Sequence, residues 1–130
     1  MDYYVNPIVE RHLVGGALLF WDEFAPFADA VKPEFFTEPA LLEIWRCITA
    51  NGGDITALPR SLQPTAITVV GEYNGADPGV LIDRANDAML RRVLQNVAVE
   101  LVRAIDDDEP ITEIVASVRE RVSTVVPADG

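Results

Sequence analysis

Apolar positions along this chain recur at helical spacing, and clean two-residue alternation is absent. Asn6 can cap a helix, with Pro7 at its first position, where a missing N–H is harmless. Ile8, Leu13, Ala17, Leu18 and Leu19 then share a face. Trp21 to Ala25 reads as a connection, and Pro26 starts a short helix over Phe27, Ala30 and Val31 that Lys32-Pro33 ends. A third helix begins at Glu38-Pro39. Leu41, Leu42, Ile44, Trp45 and Ile48 keep its period, and Asn51-Gly52-Gly53 stops it. Residues 54–79 are punctuated by Pro59, Pro64, Asn74-Gly75 and Pro78-Gly79. Ile67-Thr68-Val69-Val70 has the composition of a strand but lacks a partner, so two short helices are expected there.

From Val80 the pattern changes. Leu90, Leu94, Val97, Leu101 and Ala104 step by four and three, which is heptad spacing. Asp106-Asp107-Asp108-Glu109-Pro110 interrupts it, and Ile111, Val115, Val118, Val122 and Val125 resume it. Two such helices joined by a short acidic turn predict an antiparallel hairpin. Pro110 and the carboxylates before it suit the N-terminus of the second helix, where negative charge meets the positive end of the dipole. The expected architecture is all-α and one domain overall. A helical globular part covers 6–79, a hairpin 80–126 and a frayed tail 127–130. Two helices cannot bury both stripes by themselves, so about half of the stripe positions are expected to face each other, leaving the others for a partner.

Gly15 and Gly16 stand inside the first helix, and each costs it roughly 0.5–1 kcal/mol relative to Ala. Neither a GxxxxGK[ST] nor a GxGxxG motif is present, so they do not form a nucleotide loop. Gly15-Gly16-Ala17 instead makes a notch of small residues into which another element can pack.

Composition narrows the chemistry. The net charge of −11, from 21 acidic and 10 basic residues, opposes direct binding to a phosphate backbone. The single cysteine, Cys47, rules out an internal disulfide and a Cys-based zinc site, and its place between Trp45 and Ile48 reads as core. The N-terminus shows no signal-peptide pattern and no run of 18 apolar residues occurs, so a cytoplasmic protein without a membrane span is expected. His12 is the only histidine, and no nucleophile motif accompanies it. The run Asp106 to Glu109 lacks calcium-loop spacing and reads as a solvated turn. No catalytic, cofactor-binding or metal-binding set emerges, and a non-enzymatic protein is expected.

The order of several segments resembles the N-terminal domain of DnaB-type replicative DNA helicases. Asn6, Glu10 and Val14-Gly15-Gly16-Ala17-Leu18-Leu19 match its opening segment. Pro33-Glu34 before Phe36, Ile44-Trp45 with Ile48, Gly53-Asp54-Ile55-Thr56 and Met89-Leu90-Arg91-Arg92-Val93-Leu94 follow in the family's order. Gly15 stands where that family usually has Leu, Leu41 replaces a frequent His, and residues 57–79 match poorly. The chain ends where the linker and ATPase domain would begin, as in an excised domain or a free-standing relative from a phage or other mobile element.

The resemblance implies a non-catalytic module of DNA replication that pairs with itself, or binds a replicative helicase, primase or helicase loader. Its candidate interaction residues are Leu90, Leu94, Val97, Leu101, Ile111, Val115, Val118 and Val122. A phage or mobile-element protein that inhibits or hijacks helicase loading, and an acidic mimic of nucleic acid, are the alternatives.

Overall fold

A computed structural model of the chain describes residues 6–123. These residues form six α-helices joined by short 3₁₀ turns, and no strand occurs among them. They divide into two compact units, 6–88 and 89–123. The first holds α1 (Pro7–Leu19), α2 (Trp21–Phe24), α3 (Pro39–Asn51), α4 (Gln63–Glu72) and the start of α5 (Pro78–Asp106). The second holds the rest of α5 and α6 (Ile111–Ser123). The boundary expected near residue 80 coincides with the start of α5, whereas the division between units falls inside that helix. The tail at 127–130 and Val125 lie outside the described residues.

The first unit is built around α1. Asn6 accepts from the Val9 N–H through its side chain, and Pro7 occupies the first turn. Leu13, Val14 and Ala17 are fully buried, and α1 packs on both α3 and α4. Burying side chains the size of Leu13 and Val14 stabilises by about 1.5–3 kcal/mol each, which outweighs the helix cost of two glycines.

The glycines mark where α4 crosses. A Cβ on Gly15 would stand 2.8 Å from the carbonyl carbon of Val69 and closer still to its oxygen. A Cβ on Gly16 would stand 2.8 Å from Cε1 of Tyr73 and closer still to the ring of Phe24. The notch is filled, and at Gly15 it is filled by backbone, which cannot swing away.

Three places differ from the pattern-based expectation. Trp21–Phe24 is a short helix and not a plain connection, because Phe24 turns inward to 1% exposure against α1 and Tyr73. Residues 54–79 contain one α-helix, α4, preceded by 3₁₀ turns at Ile55–Ala57 and Arg60–Leu62. The strand-like Ile67-Thr68-Val69-Val70 is helical because Val69 and Ala66 share the buried face, a pairing that helical spacing alone provides. Cys47 is half-buried, since α3 turns Leu41, Ile44 and Ile48 to the core instead. That helix stops at Gly52, whose φ of 72° is left-handed.

Polar side chains fasten the unit across long sequence separations. Glu10 is only 2% exposed, yet its carboxylate accepts from both the N–H and the hydroxyl of Thr37. A buried carboxylate with both oxygens engaged avoids most of the cost of burial. Next to it, Arg11 donates to Glu72 through Nε at 2.7 Å and Nη2 at 3.0 Å, and to Glu38 at 3.3 Å. The start of α1 is thus tied to the end of α4 and the entry to α3. Among the described residues, no helix is long and apolar enough to cross a membrane.

Two predictions test this packing. Gly15→Ala lowers unfolding free energy by more than about 2 kcal/mol, because backbone must move. Gly71→Ala, at an exposed helical site with nothing within 4 Å, raises it by about 0.5–1 kcal/mol. Urea denaturation of both variants reads the contrast. The second concerns acid. The hydrogen bond from Arg11 holds the Glu72 carboxyl below its ordinary value of 4.5, and the charge of Arg11 adds to this. A carboxylate with a lowered folded value stabilises above its unfolded value, and the gain disappears as pH falls through the folded one. The stability gap between wild type and Glu72→Gln at about pH 7 therefore narrows below 4.5 and closes once Glu72 is protonated in the folded chain. Chemical denaturation along a pH series measures it.

Candidate interaction surface

The second unit consists of the last turns of α5, a tight reversal and α6. Around the reversal, Glu109 N–H donates to Ala104 C=O and Asp108 N–H donates to Ile105 C=O, at 3.1 Å each. That nested pair is the Schellman arrangement, which needs a left-handed residue at the position Asp108 occupies. Asp108 adopts it with φ 56°, the one non-glycine with positive φ among the described residues. Pro110 follows, and its carbonyl accepts from Ile114, opening α6.

The turn changes the reading of its carboxylates. Asp106 is the last residue of α5, and Asp107 and Asp108 belong to its C-terminal cap. They lie at the negative end of that helix dipole, where acidic side chains are disfavoured. Only Glu109 and Glu113 stand at the favoured N-terminal end of α6, while Arg103 in the last turn of α5 opposes the carboxylates there. Helix stability accordingly does not account for the three aspartates. Among the described residues no group of three or more His, Cys, Asp or Glu side chains is placed to hold a metal ion.

Between the helices, Val97, Leu101 and Ala104 of α5 and Ile114 and Val118 of α6 line one groove, with an ion pair between Glu100 and Arg121 at its side. Val97 is 7% exposed, and Leu90, Leu101, Val118 and Val122 are half-buried. The other expected stripe residues turn outward. Leu94 is 46% exposed, Val115 is 44% and Ile111 is 77%. Val115 stands about 60° from Val118 and about 100° from Ile114 around α6, on the helix flank, whereas Ile111 shares their side of the helix and is exposed as its first residue.

A second, shallower groove at the tip shows where the outward residues gather. Leu101, Ile105, Ile111, Ile114 and Val115 line it together. Leu94, Leu101 and Ile105 are spaced by seven and four, so they share one face of α5. The result is an apolar flank that starts at Leu94 and widens toward the turn. Ile105 and Ile114 were missing from the heptad reading. Ile105 stands four residues beyond Leu101 and Ile114 four before Val118, so the helical period contains both; the heptad frame hid them.

Elsewhere, Arg11 and Glu10 are occupied as described. His12 is half-buried, its ring centroid 6.2 Å from that of Tyr73, and its Nδ1 is shielded without a hydrogen-bond partner among the described residues. Among the described residues neither it nor half-buried Cys47 belongs to a group of three or more His, Cys, Asp or Glu side chains that could hold a metal ion. No family model, no curated protein and no solved structure matches the chain.

The turn yields a prediction. Asp108→Gly relieves the left-handed strain and removes a charge from the wrong end of a helix dipole, stabilising the hairpin by about 0.5–1 kcal/mol. Asp108→Asn, which tolerates the same φ, isolates the charge contribution. Slower amide hydrogen exchange across α6 in both variants is the expected result.

Proposed function

We propose that this chain is a non-catalytic interaction and oligomerisation module that associates through its helical hairpin. The observation that carries the reading is the apolar flank. Leu94, Ile105, Ile111 and Val115 are each more than two-fifths exposed, yet stand on one side of a two-helix unit. A hairpin of this length gains little from such residues while they face water, and burying them is worth roughly 25 cal/mol per Å². Apolar side chains gathered on one flank are a feature of protein–protein contacts.

The more specific reading is a module of DNA replication like the N-terminal collar domain of DnaB-type helicases, which binds a copy of itself, a replicative helicase, a primase or a loader. Its support is the order of matching segments from Asn6 to Leu94 and an all-helical chain ending in a hairpin. The acidic surface, with its net charge of −11, favours protein partners over nucleic acid.

Sedimentation equilibrium and a pull-down against purified helicase, primase and loader test the two levels separately. Leu94→Asp and Ile111→Asp are expected to weaken association tenfold or more while leaving the melting temperature nearly unchanged, because both side chains already face solvent. Val97→Asp, at a buried position, is expected to lower the melting temperature by several degrees. If Leu94→Asp and Ile111→Asp both keep wild-type mass and partner capture, the flank is not the contact surface. Self-association without capture of any replication protein retains the module and removes the replication assignment.

A further inference from the structure

Asn-Gly occurs twice in this chain, at Asn51-Gly52 and Asn74-Gly75, and the fold treats the two pairs in opposite ways. An asparagine before glycine can lose its amide to its own backbone, because glycine has no side chain to obstruct its nitrogen. Hydroxide takes the proton of the glycine N–H, and that nitrogen attacks the asparagine Cγ. The side-chain nitrogen leaves as ammonia with a proton from water, and a succinimide ring closes. Water then opens the ring. Opening at Cγ leaves aspartate in an ordinary chain. Opening at the main-chain carbonyl leaves isoaspartate, with the backbone running through the former side chain and one methylene longer. No oxidant or reductant takes part.

At Asn51 the structure opposes these steps. Asn51 is the last residue of α3, and the attacking nitrogen is engaged, because the Gly52 N–H donates to Ile48 C=O at 2.8 Å. The leaving group is engaged too. The Asn51 side-chain N–H donates to Cys47 C=O at 3.1 Å, which draws the amide back along the helix and away from Gly52. Closing the ring there requires breaking both bonds and the last turn of α3.

At Asn74 each condition is reversed. Asn74 is exposed and lies in the non-helical link 73–77 between α4 and α5. Among the described residues, neither the Gly75 N–H nor the Asn74 side-chain nitrogen donates to a backbone or side-chain group. Asn74 Oδ1 accepts from the Ala76 N–H at 3.0 Å. That bond folds the side chain over the Asn74–Gly75 peptide and places a donor on the oxygen that becomes negative when the nitrogen attacks. Gly75 has φ 86° and nothing within 4 Å of where its Cβ would stand, so its backbone is open to solvent base.

We propose that Asn74 is a site of spontaneous deamidation in the folded chain, while Asn51, with the same following residue, is protected by α3. The modification has a structural consequence. The Tyr73 hydroxyl donates to Ala76 C=O at 2.7 Å, and its ring stands against Phe24 and the Gly16 notch. Asp77 accepts from the N–H groups of Gly79 and Val80 and caps the start of α5. Aspartate at 74 keeps an oxygen for the Ala76 N–H. Isoaspartate inserts a methylene between Tyr73 and Ala76 and loosens the join of α4 to α5.

The test ages the full chain in mildly alkaline buffer, native and in about 6 M guanidinium chloride. Peptide mapping by mass spectrometry follows the exchange of NH2 for OH at each asparagine, and isoaspartyl methyltransferase labelling counts isoaspartate. In the native chain Asn74 reacts about tenfold faster than Asn51 or more, and unfolding brings the two rates together. Native protein enriched in isoaspartate at 74 melts about 3 °C or more below the Asn74→Asp variant, which carries the new charge without the longer backbone. A smaller native ratio, a ratio that unfolding leaves unchanged, or an Asn74 that stays intact in the native chain while the unfolded chain reacts overturns the assignment. Equal melting of the isoaspartate form and Asn74→Asp overturns the loosening of the join.

Discussion

The close approach of α4 to α1 governs the first unit. At Gly15 the Val69 carbonyl occupies the space a side chain would need, and at Gly16 the rings of Phe24 and Tyr73 do the same. Because the two helices meet backbone to backbone at Gly15, the residues flanking the crossing are brought into registers that larger residues would forbid. Leu13, Val14 and Ala17 become fully buried, and the Tyr73 ring stands tilted or edge-on to His12, Phe20 and Phe24 with ring centroids 6.0–6.2 Å apart. The ties of Arg11 to Glu72 and of Glu10 to Thr37 are short only because that crossing sets the distance between α1, α4 and the entry to α3. Two glycines in a helix interior are unfavourable locally, and the unit is held together by what they permit.

The second unit follows a different logic. It lacks a comparable core: Val97 and Met89 are its buried large side chains among the described residues, and none of α6 is fully buried. Its turn accepts a left-handed aspartate, its α5 terminus accepts three carboxylates, and its flank leaves isoleucine and leucine in water. Each choice is unfavourable for an isolated hairpin. Taken together they fit a surface shaped for contact with another chain better than one shaped for stability alone.

Much of this was legible in the sequence, and the exceptions have physical reasons. The Asn6-Pro7 start, the Gly52 stop and the acidic reversal were readable because capping and turn chemistry act within a few residues. A helix at Ile67-Thr68-Val69-Val70 was expected only because a strand there would lack a partner, and its extent was not readable, because β-branched residues do not mark a helix until the tertiary contact with Gly15 is known. Trp21–Phe24 was missed because four residues are too few to show a period. On the hairpin, heptad stepping located the stripes but could not divide Ile111 and Val115 from Ile114 and Val118. That division depends on the angle at which α6 leaves the turn, which local spacing does not contain. No sequence pattern pointed to the partnership of Glu10 and Thr37 across 27 positions.

The continuity of α5 has a consequence for how the chain acquires its structure. At 29 residues, about 43 Å, it belongs to both units. Starting a helix in water is the costly step, whereas adding residues to an existing one is nearly neutral. Leu81, Ile82, Ala85 and Ala88 are buried in the first unit, so the beginning of α5 is fixed by that core. The following residues inherit a formed end and need only propagate from it. The hairpin thus receives its nucleus from its neighbour in the chain, and a segment with few buried side chains of its own is spared the step that most often prevents a short helix from forming.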